Sequence, residues 1–237
     1  MKELLHSERL AAARVLQRVV YEGESLSKSL PAVQQQLADI RLRAYVQAIS
    51  YGTLRFHHRL SAVLDLLVDR PLKQRDLDIR CLLLAGLFEL CENRTPGYAA
   101  VSEWVECAES AGKGWAKGLV NGVLRNFMRR REQLLERAMA DPVARYASPS
   151  WLIDTVRHDW PESWEGLLQA GLKQAPMTLR VNLLQTTRDD YLRQLAAENI
   201  AAEPLEVESA IRLSEPVDVN QLPGFNAGLV SVQDAAA

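Results

Sequence analysis

Between positions 76 and 91 the chain reads Asp-Leu-Asp-Ile-Arg-Cys-Leu-Leu-Leu-Ala-Gly-Leu-Phe-Glu-Leu-Cys, a helical stretch that is apolar on most sides. A helix without a polar face has to be enclosed, so this segment predicts a central helix around which others pack. The partners are legible as amphipathic stripes. Leu10, Ala13, Leu16, Val19 and Val20 repeat at three-to-four spacing after a possible Ser7 cap, with Arg14 and Arg18 on the polar side and Gly23 as terminator. Leu42, Tyr45, Val46, Ile49, Thr53 and Leu54 form a second stripe, and Leu60, Val63, Leu64 and Leu67 a third that must break at Pro71. After Asn93 and the turn Thr95-Pro96-Gly97 come two more helices, Tyr98 to Ser110 and roughly Gly114 to Ala140. Short-looped helices without an alternating strand predict an all-helical domain over residues 1–140, bounded at Asp141-Pro142.

The texture then changes. Residues 148–173 read as helix, with Trp151, Trp160 and Trp164 and a restart near Pro161. Thr178 to Asn182 reads as a strand, Thr186 and Thr187 as caps for a helix through Tyr191 that closes near Asn199, and Glu206 to Leu213 and Leu229 to Val232 as further strands. Residues 141–237 are thus expected to hold linker helices and a small α+β layer, with a turn at Pro223-Gly224-Phe225-Asn226. So small a layer with an exposed edge is expected to continue into a larger sheet, and the chain reads as the front of a longer protein.

Composition mainly excludes. No apolar run reaches the ~18 residues of a membrane span, and Lys2, Glu3, Glu8 and Arg9 occupy the place of a secretory core, so a cytoplasmic location without membrane association is expected. Cys81, Cys91 and Cys107 match neither a disulfide framework nor a zinc knuckle and read as buried helix cysteines. The net charge of −2 conceals segregation: residues 110–131 contain six basic residues and no acid, whereas 132–237 contain eight basic and sixteen acidic ones. Arg9, Arg14 and Arg18 on the first helix and Lys113, Lys117, Arg125, Arg129, Arg130 and Arg131 near the last are therefore the candidate nucleic-acid contacts, expected to converge into one cationic platform. Gly112-Lys113-Gly114 follows a helix rather than a strand, which argues for a helix-helix turn over a nucleotide loop. His57-His58 lacks ligand spacing, Asp189-Asp190 suits a helix's first turn, and no catalytic triad, paired carboxylate or metal site can be assembled.

Lys117-Gly-Leu-Val-Asn-Gly-Val-Leu-Arg125 resembles the terminal-helix motif of NusB-like domains, as do Ala11 to Leu16, Tyr51 to Arg55 and Pro96 to Val101. The continuation, Arg145-Tyr146 with Pro149-Ser150-Trp151-Leu152, then Leu179-Arg180-Val181-Asn182, Leu222-Pro223-Gly224-Phe225 and Val232-Gln233-Asp234, is similar to the Fmu/Sun (RsmB) family of 16S rRNA cytosine-5 methyltransferases. Ser148 and Ala236 depart from the family's usual histidine and serine. The resemblance implies a mainly α chain, with a NusB-like bundle followed by a small RRM-like α+β subdomain, and 16S ribosomal RNA rather than DNA as partner. It also implies that the parent enzyme uses S-adenosylmethionine through a glycine-rich loop and attacks the base with a Pro-Cys cysteine. Neither motif is found here, so this chain is expected to bind RNA only, with no cofactor, catalytic residue or metal of its own, as a monomer. Arg180, Asn182, Gln233 and Asp234 are expected to adjoin the catalytic domain of the whole enzyme. The competing readings are a stand-alone NusB-like antitermination adaptor without catalysis and a protein-only scaffold.

Overall fold

The computed structural model describes residues 7–92 and 95–235, which leaves the charged start at 2–3, Asn93 of the turn and Ala236 outside the described residues. It forms two compact units, 1–172 and 173–237. In the first, α1 (Glu8–Val20), α2 (Leu26–Gln34), α3 (Ile40–Arg55), α4 (His57–Asp65), α5 (Leu77–Glu92), α6 (Gly97–Ser110) and α7 (Lys117–Ala138) make the bundle. The apolar stretch is the central helix α5, with every residue from Cys81 to Leu90 buried. Five helices ring it in the order α1, α3, α4, α7, α6, each touching α5 and its neighbours, with α6 closing back onto α1. Helix α2, which gave no stripe in the sequence, lies across α1 and α3 and buries Ser29, Leu30 and Val33.

Local chemistry sets the helix starts. The Ser7 hydroxyl accepts from the Leu10 N–H at 3.3 Å, and the Asp39 carboxylate accepts from the Arg41 N–H at 2.8 Å. At Gly52 the ring of Phe88 would lie 1.9 Å from an added Cβ, so only glycine lets α3 approach α5 this closely. The buried acid of the central helix, Glu89, is 2% exposed and binds the bundle together. It accepts from Arg9 Nε at 3.0 Å and Nη2 at 2.7 Å, from the Tyr45 hydroxyl at 2.9 Å, from Thr95 Oγ1 at 2.9 Å and from Trp104 Nε1 at 2.7 Å. Burial alone would raise this carboxyl, yet the Arg9, Tyr45 and Thr95 donors hold it below the usual carboxylate range.

The first unit continues past the boundary expected at Asp141-Pro142. Helix α8 (Pro142–Arg145) packs on α4, where Arg59 donates to the carbonyls of Ala144 at 3.0 Å and Arg145 at 2.5 Å. Helices α9 (Ser150–Asp159) and α10 (Trp164–Gly171) enclose a small separate core of Tyr146, Ile153 and Leu168. The break between these two helices falls at Trp160-Pro161, where the sequence places a restart.

In the second unit, β1 (Thr178–Val181), α11 (Arg188–Ala197), β2 (Ala202–Pro204), β3 (Ala210–Leu213) and β4 (Val230–Val232) build an antiparallel sheet in the order β2-β3-β1-β4. One face packs Leu179, Val181, Ile211, Leu213 and Val230 against Tyr191 and Leu195 of α11. The strand expected from Glu206 begins only at Ala210, and β2 is additional. The reason is a hairpin turn: Leu205 N–H donates to the Ala210 carbonyl, and Arg188 draws in the carbonyls of Leu205 and Val207.

Candidate nucleic-acid interface

The basic residues singled out in the sequence separate into those that hold the bundle together and those that face solvent. Arg9 is 5% exposed, paired with Glu89, Glu8 and Glu103 and packed against the rings of Tyr45 and Trp104, so it is a core residue and no surface contact. Lys113 donates to the Arg75 carbonyl, to Asp76 at 3.0 Å and to Asp78 at 2.7 Å, which clamps the α6–α7 turn onto the start of α5. Arg131 donates to the carbonyls of Leu90 at 3.3 Å and Cys91 at 2.7 Å, satisfying the C-terminal end of α5. These three depart from the expected contact set: Arg9 is buried, and the donors of Lys113 and Arg131 are turned to groups of the bundle itself.

The single cationic platform does not form either. Helices α1 and α7 stand two places apart in the ring around α5, so their outward faces diverge. On the short side they are separated by α6, whose exposed face carries Glu103, Glu106 and Glu109. On α1, Arg14 is exposed, while Arg18 is half-buried and paired with Glu24 at 2.7 Å. Lys117, at the start of α7, is drawn to Glu109 at 2.6 Å and Glu106 at 3.4 Å.

What remains is one coherent face. Gly118, Asn121, Gly122, Arg125 and Arg129 recur at helical spacing opposite the buried Val120, Val123, Leu124 and Phe127. Arg125 Nε donates to Asn121 Oδ1 at 2.7 Å, and its guanidinium lies 5.9 Å from the ring centroid of Tyr98, itself 74% exposed. An added Cβ at Gly118 or Gly122 would meet nothing within 4 Å, so the helix backbone itself lies open beside the arginines. Arg129 and Arg130 are exposed as well, and α7 kinks at Arg130 (φ −126°, ψ 22°). Chemically this face offers guanidinium groups, an amide and an aromatic ring to a phosphate-bearing partner. Tyr98 and Asn121 were not among the candidates because the sequence reading counted charge; the recurrence of 118, 121, 122, 125 and 129 on one face was the available signal.

A family model described as the NusB family matches residues 6–129, more than half of the chain. The chain belongs to the NusB family. A second model, for the ferredoxin-like domain of RsmF/B-like methyltransferases, matches residues 148–220. Among curated proteins, the chain is 44% identical to the ribosomal RNA small subunit methyltransferase B of Pseudomonas syringae pv. tomato, over 97% of this chain and 51% of that protein. It is 43% identical to the protein so named in Vibrio cholerae, over 97% of this chain and 53% of the relative. It is 38% identical to the probable ribosomal RNA small subunit methyltransferase B of Coxiella burnetii, over 96% of this chain and 52% of the relative. The chain thus spans about half the length of the curated relatives it matches. A solved structure, "Crystal Structure of PH0851", shares the fold with TM-score 0.62 at 16% identity, over 99% of this chain and 55% of the other.

The NusB-family part contains the whole α7 face, and its three cysteines offer no nucleophile there. Burial pushes the thiols up, that of Cys81 to about 12, and all three sit on α5 or α6 rather than on the α7 face. In the ferredoxin-like part, Arg180 is exposed on the sheet face opposite α11. Asn182 donates to the Gly228 carbonyl at 3.0 Å and accepts from the Leu184 N–H, and the Gln233 N–H donates to the Thr178 carbonyl. No helix among the described residues is long and apolar enough to cross a membrane.

Proposed function

We propose that this chain is the RNA-docking portion of an S-adenosylmethionine-dependent methyltransferase that modifies C5 of a cytosine in small-subunit ribosomal RNA. The observation that supports it most is the 44% identity to a ribosomal RNA small subunit methyltransferase B running through both units. That continuity also speaks against the stand-alone adaptor. In this reading the bundle through residue 140 binds ribosomal RNA in the cytoplasm, and the linker helices and sheet of 141–237 lead toward the catalytic domain of the whole protein, adjoined by Arg180, Asn182, Gln233 and Asp234.

The residues present do not fit the cofactor. Among the described residues the sheet is antiparallel throughout, without the parallel strand and glycine turn that cradle such a group, and the space beside Gly224 is filled by the Leu229 side chain. Chemistry on the base therefore belongs to residues outside this chain, and this chain supplies affinity. The contact is assigned to Arg125, Arg129 and Arg130 with Tyr98 beside them. Fluorescence anisotropy with a labelled small-subunit rRNA hairpin tests it: Arg125→Glu with Arg129→Glu is expected to lower affinity by about tenfold or more. An unchanged affinity would withdraw the docking role, and calorimetric binding of S-adenosylmethionine by this chain would overturn the division of labour.

A further inference from the structure

Helix α8 bridges two cores that are otherwise separate. It turns Ala144 into the core of the bundle, while Tyr146, directly after it, belongs to the small core of Ile153 and Leu168. Among the described residues, no side chain of α9 or α10 joins the bundle core. Apart from the covalent link to α7, this arm of α8, α9 and α10 is held to the bundle chiefly where α8 meets α4. The apolar anchor there is small, the methyl group of Ala144, and the polar anchor is Arg59. Its Nε donates to the Ala144 carbonyl at 3.0 Å and its Nη2 to the Arg145 carbonyl at 2.5 Å, at the helix end where carbonyls lack partners of their own. The guanidinium lies 5.1 Å from the centroid of the Phe56 ring, and burial there pulls its pKa down. The arm is poorly equipped to stand alone. Helices α9 and α10 have ten and eight residues, fewer than the ~12–15 at which a helix persists by itself in water. Ala147, at φ 45°, strains the turn that leaves α8.

We infer that Arg59 is a latch. Closed, it makes α8, α9 and α10 part of the folded first unit. Open, it lets residues 142–171 come off α4 and lose their helices as one local unit while the bundle stays folded. Two donors of one rigid guanidinium hold two successive carbonyls, so a small displacement of α8 breaks both bonds together. Tyr146 then leaves with α8 and takes the centre of the small core with it: its ring packs on Trp164 with centroids 5.2 Å apart. The backbone from the bundle to the second unit runs through these residues. The latch therefore decides whether that connection is folded helix or loose tether. It belongs to the packing of the first unit and stands whether or not α7 binds RNA.

Native-state hydrogen exchange on the full chain, followed by mass spectrometry at stepped urea below the unfolding transition, tests the latch. Amides of 150–171 are expected to exchange through an opening that leaves α5 protected. Arg59→Gln should speed exchange in the arm by about tenfold or more and in α5 by less than about twofold, with Arg59→Lys in between. Tryptic cleavage after Arg157, whose guanidinium lies 4.3 Å from the centroid of the Trp164 ring in the closed form, should quicken in the same order. If Arg59→Gln leaves the arm exchanging as in the parent, Arg59 is no latch. If arm and α5 speed up by the same factor, the two open only together and the inference fails. Should the variant not fold, the parent decides: one common opening free energy for the arm and α5 overturns the inference, and a lower one for the arm supports it.

Discussion

Replacing Glu89 with glutamine tests the physical centre of the bundle. The carboxylate accepts five hydrogen bonds from Arg9, Tyr45, Thr95 and Trp104, and the Arg9 side chain is only 6% exposed. Without that charge Arg9 keeps only Glu8 and the half-exposed Glu103, and the new amide turns a donor toward donors. Removing one partner of a buried ion pair costs about 3–5 kcal/mol, and the losses at Tyr45 and Trp104 overlap with that figure rather than add to it. Since domains are stable by only about 5–15 kcal/mol, Glu89→Gln should move the urea midpoint far down, as followed by circular dichroism and tryptophan fluorescence. Arg9→Met alone should also be severe, and the double variant should cost less than the two single costs combined by about 2 kcal/mol or more, since it leaves no orphaned charge. Because the folded carboxyl is held below its usual range, its contribution is complete above the unfolded carboxylate pKa and disappears as pH falls through the folded one. A cost under about 1 kcal/mol for Glu89→Gln, or strict additivity in the cycle, would refute the view that this network ties α1, α3 and α6 to α5.

Gly52→Ala forces a methyl group into the Phe88 ring and should destabilise the bundle by about 1–3 kcal/mol, readable as a lowered melting temperature; an unchanged melt would mean that α3 and α5 separate freely. Burial, with His58 and Arg80 nearby, lowers His57 to about 4. A depressed imidazole pKa means that the unfolded chain takes up the proton first, so stability should be full above about pH 6.5 and fall between there and about pH 4. His57→Asn should flatten that profile in urea titrations at stepped pH, and an unaltered slope would contradict it. For RNA, the slope of log affinity against log salt should shrink by about 2 when Arg125 and Arg129 are both changed to Gln, whereas Lys113→Gln should lower stability and leave the slope alone.

The helices of the first unit were readable because burial imposes a period. The stretch at 76–91, apolar on most sides, could only be central, and the stripes at 10–20, 42–54 and 60–67 could only pack on it. Helix α2 escaped because its nine residues, with Pro31 inside, bury one side chain per turn. The strand reading from Glu206 failed on a tertiary cause: Arg188, eighteen positions upstream, captures the Leu205 and Val207 carbonyls and bends a segment whose own composition is compatible with a strand. The candidate site was legible in part for a similar reason. Exposure of Arg125 and Arg129 follows from their phase against Val120, Val123 and Phe127, which the sequence contains. The fates of Arg9, Lys113 and Arg131 depend on partners 35 to 80 positions away, and no local pattern encodes those pairings.

Charge segregation along a chain therefore has two possible destinations, and burial phase decides between them. In α1, Arg9 lies in phase with Ala12, Ala13 and Leu16 and is drawn inward to Glu89, while Arg14, out of phase with them, faces water. In α7, Arg125 and Arg129 are out of phase with Phe127, and Arg131 follows the kink at Arg130 and turns back to the end of α5. The acids of α6 then set the electrostatics of the ring: Glu103 reaches Arg9, and Glu106 and Glu109 reach Lys117. Exposed pairs of that kind contribute little stability, yet they neutralise the rim between the two basic helices. An approaching phosphate backbone is thereby favoured over the part of α7 from Gly118 to Arg130 and disfavoured across α6, so the docking surface proposed above is a strip one helix wide rather than a platform.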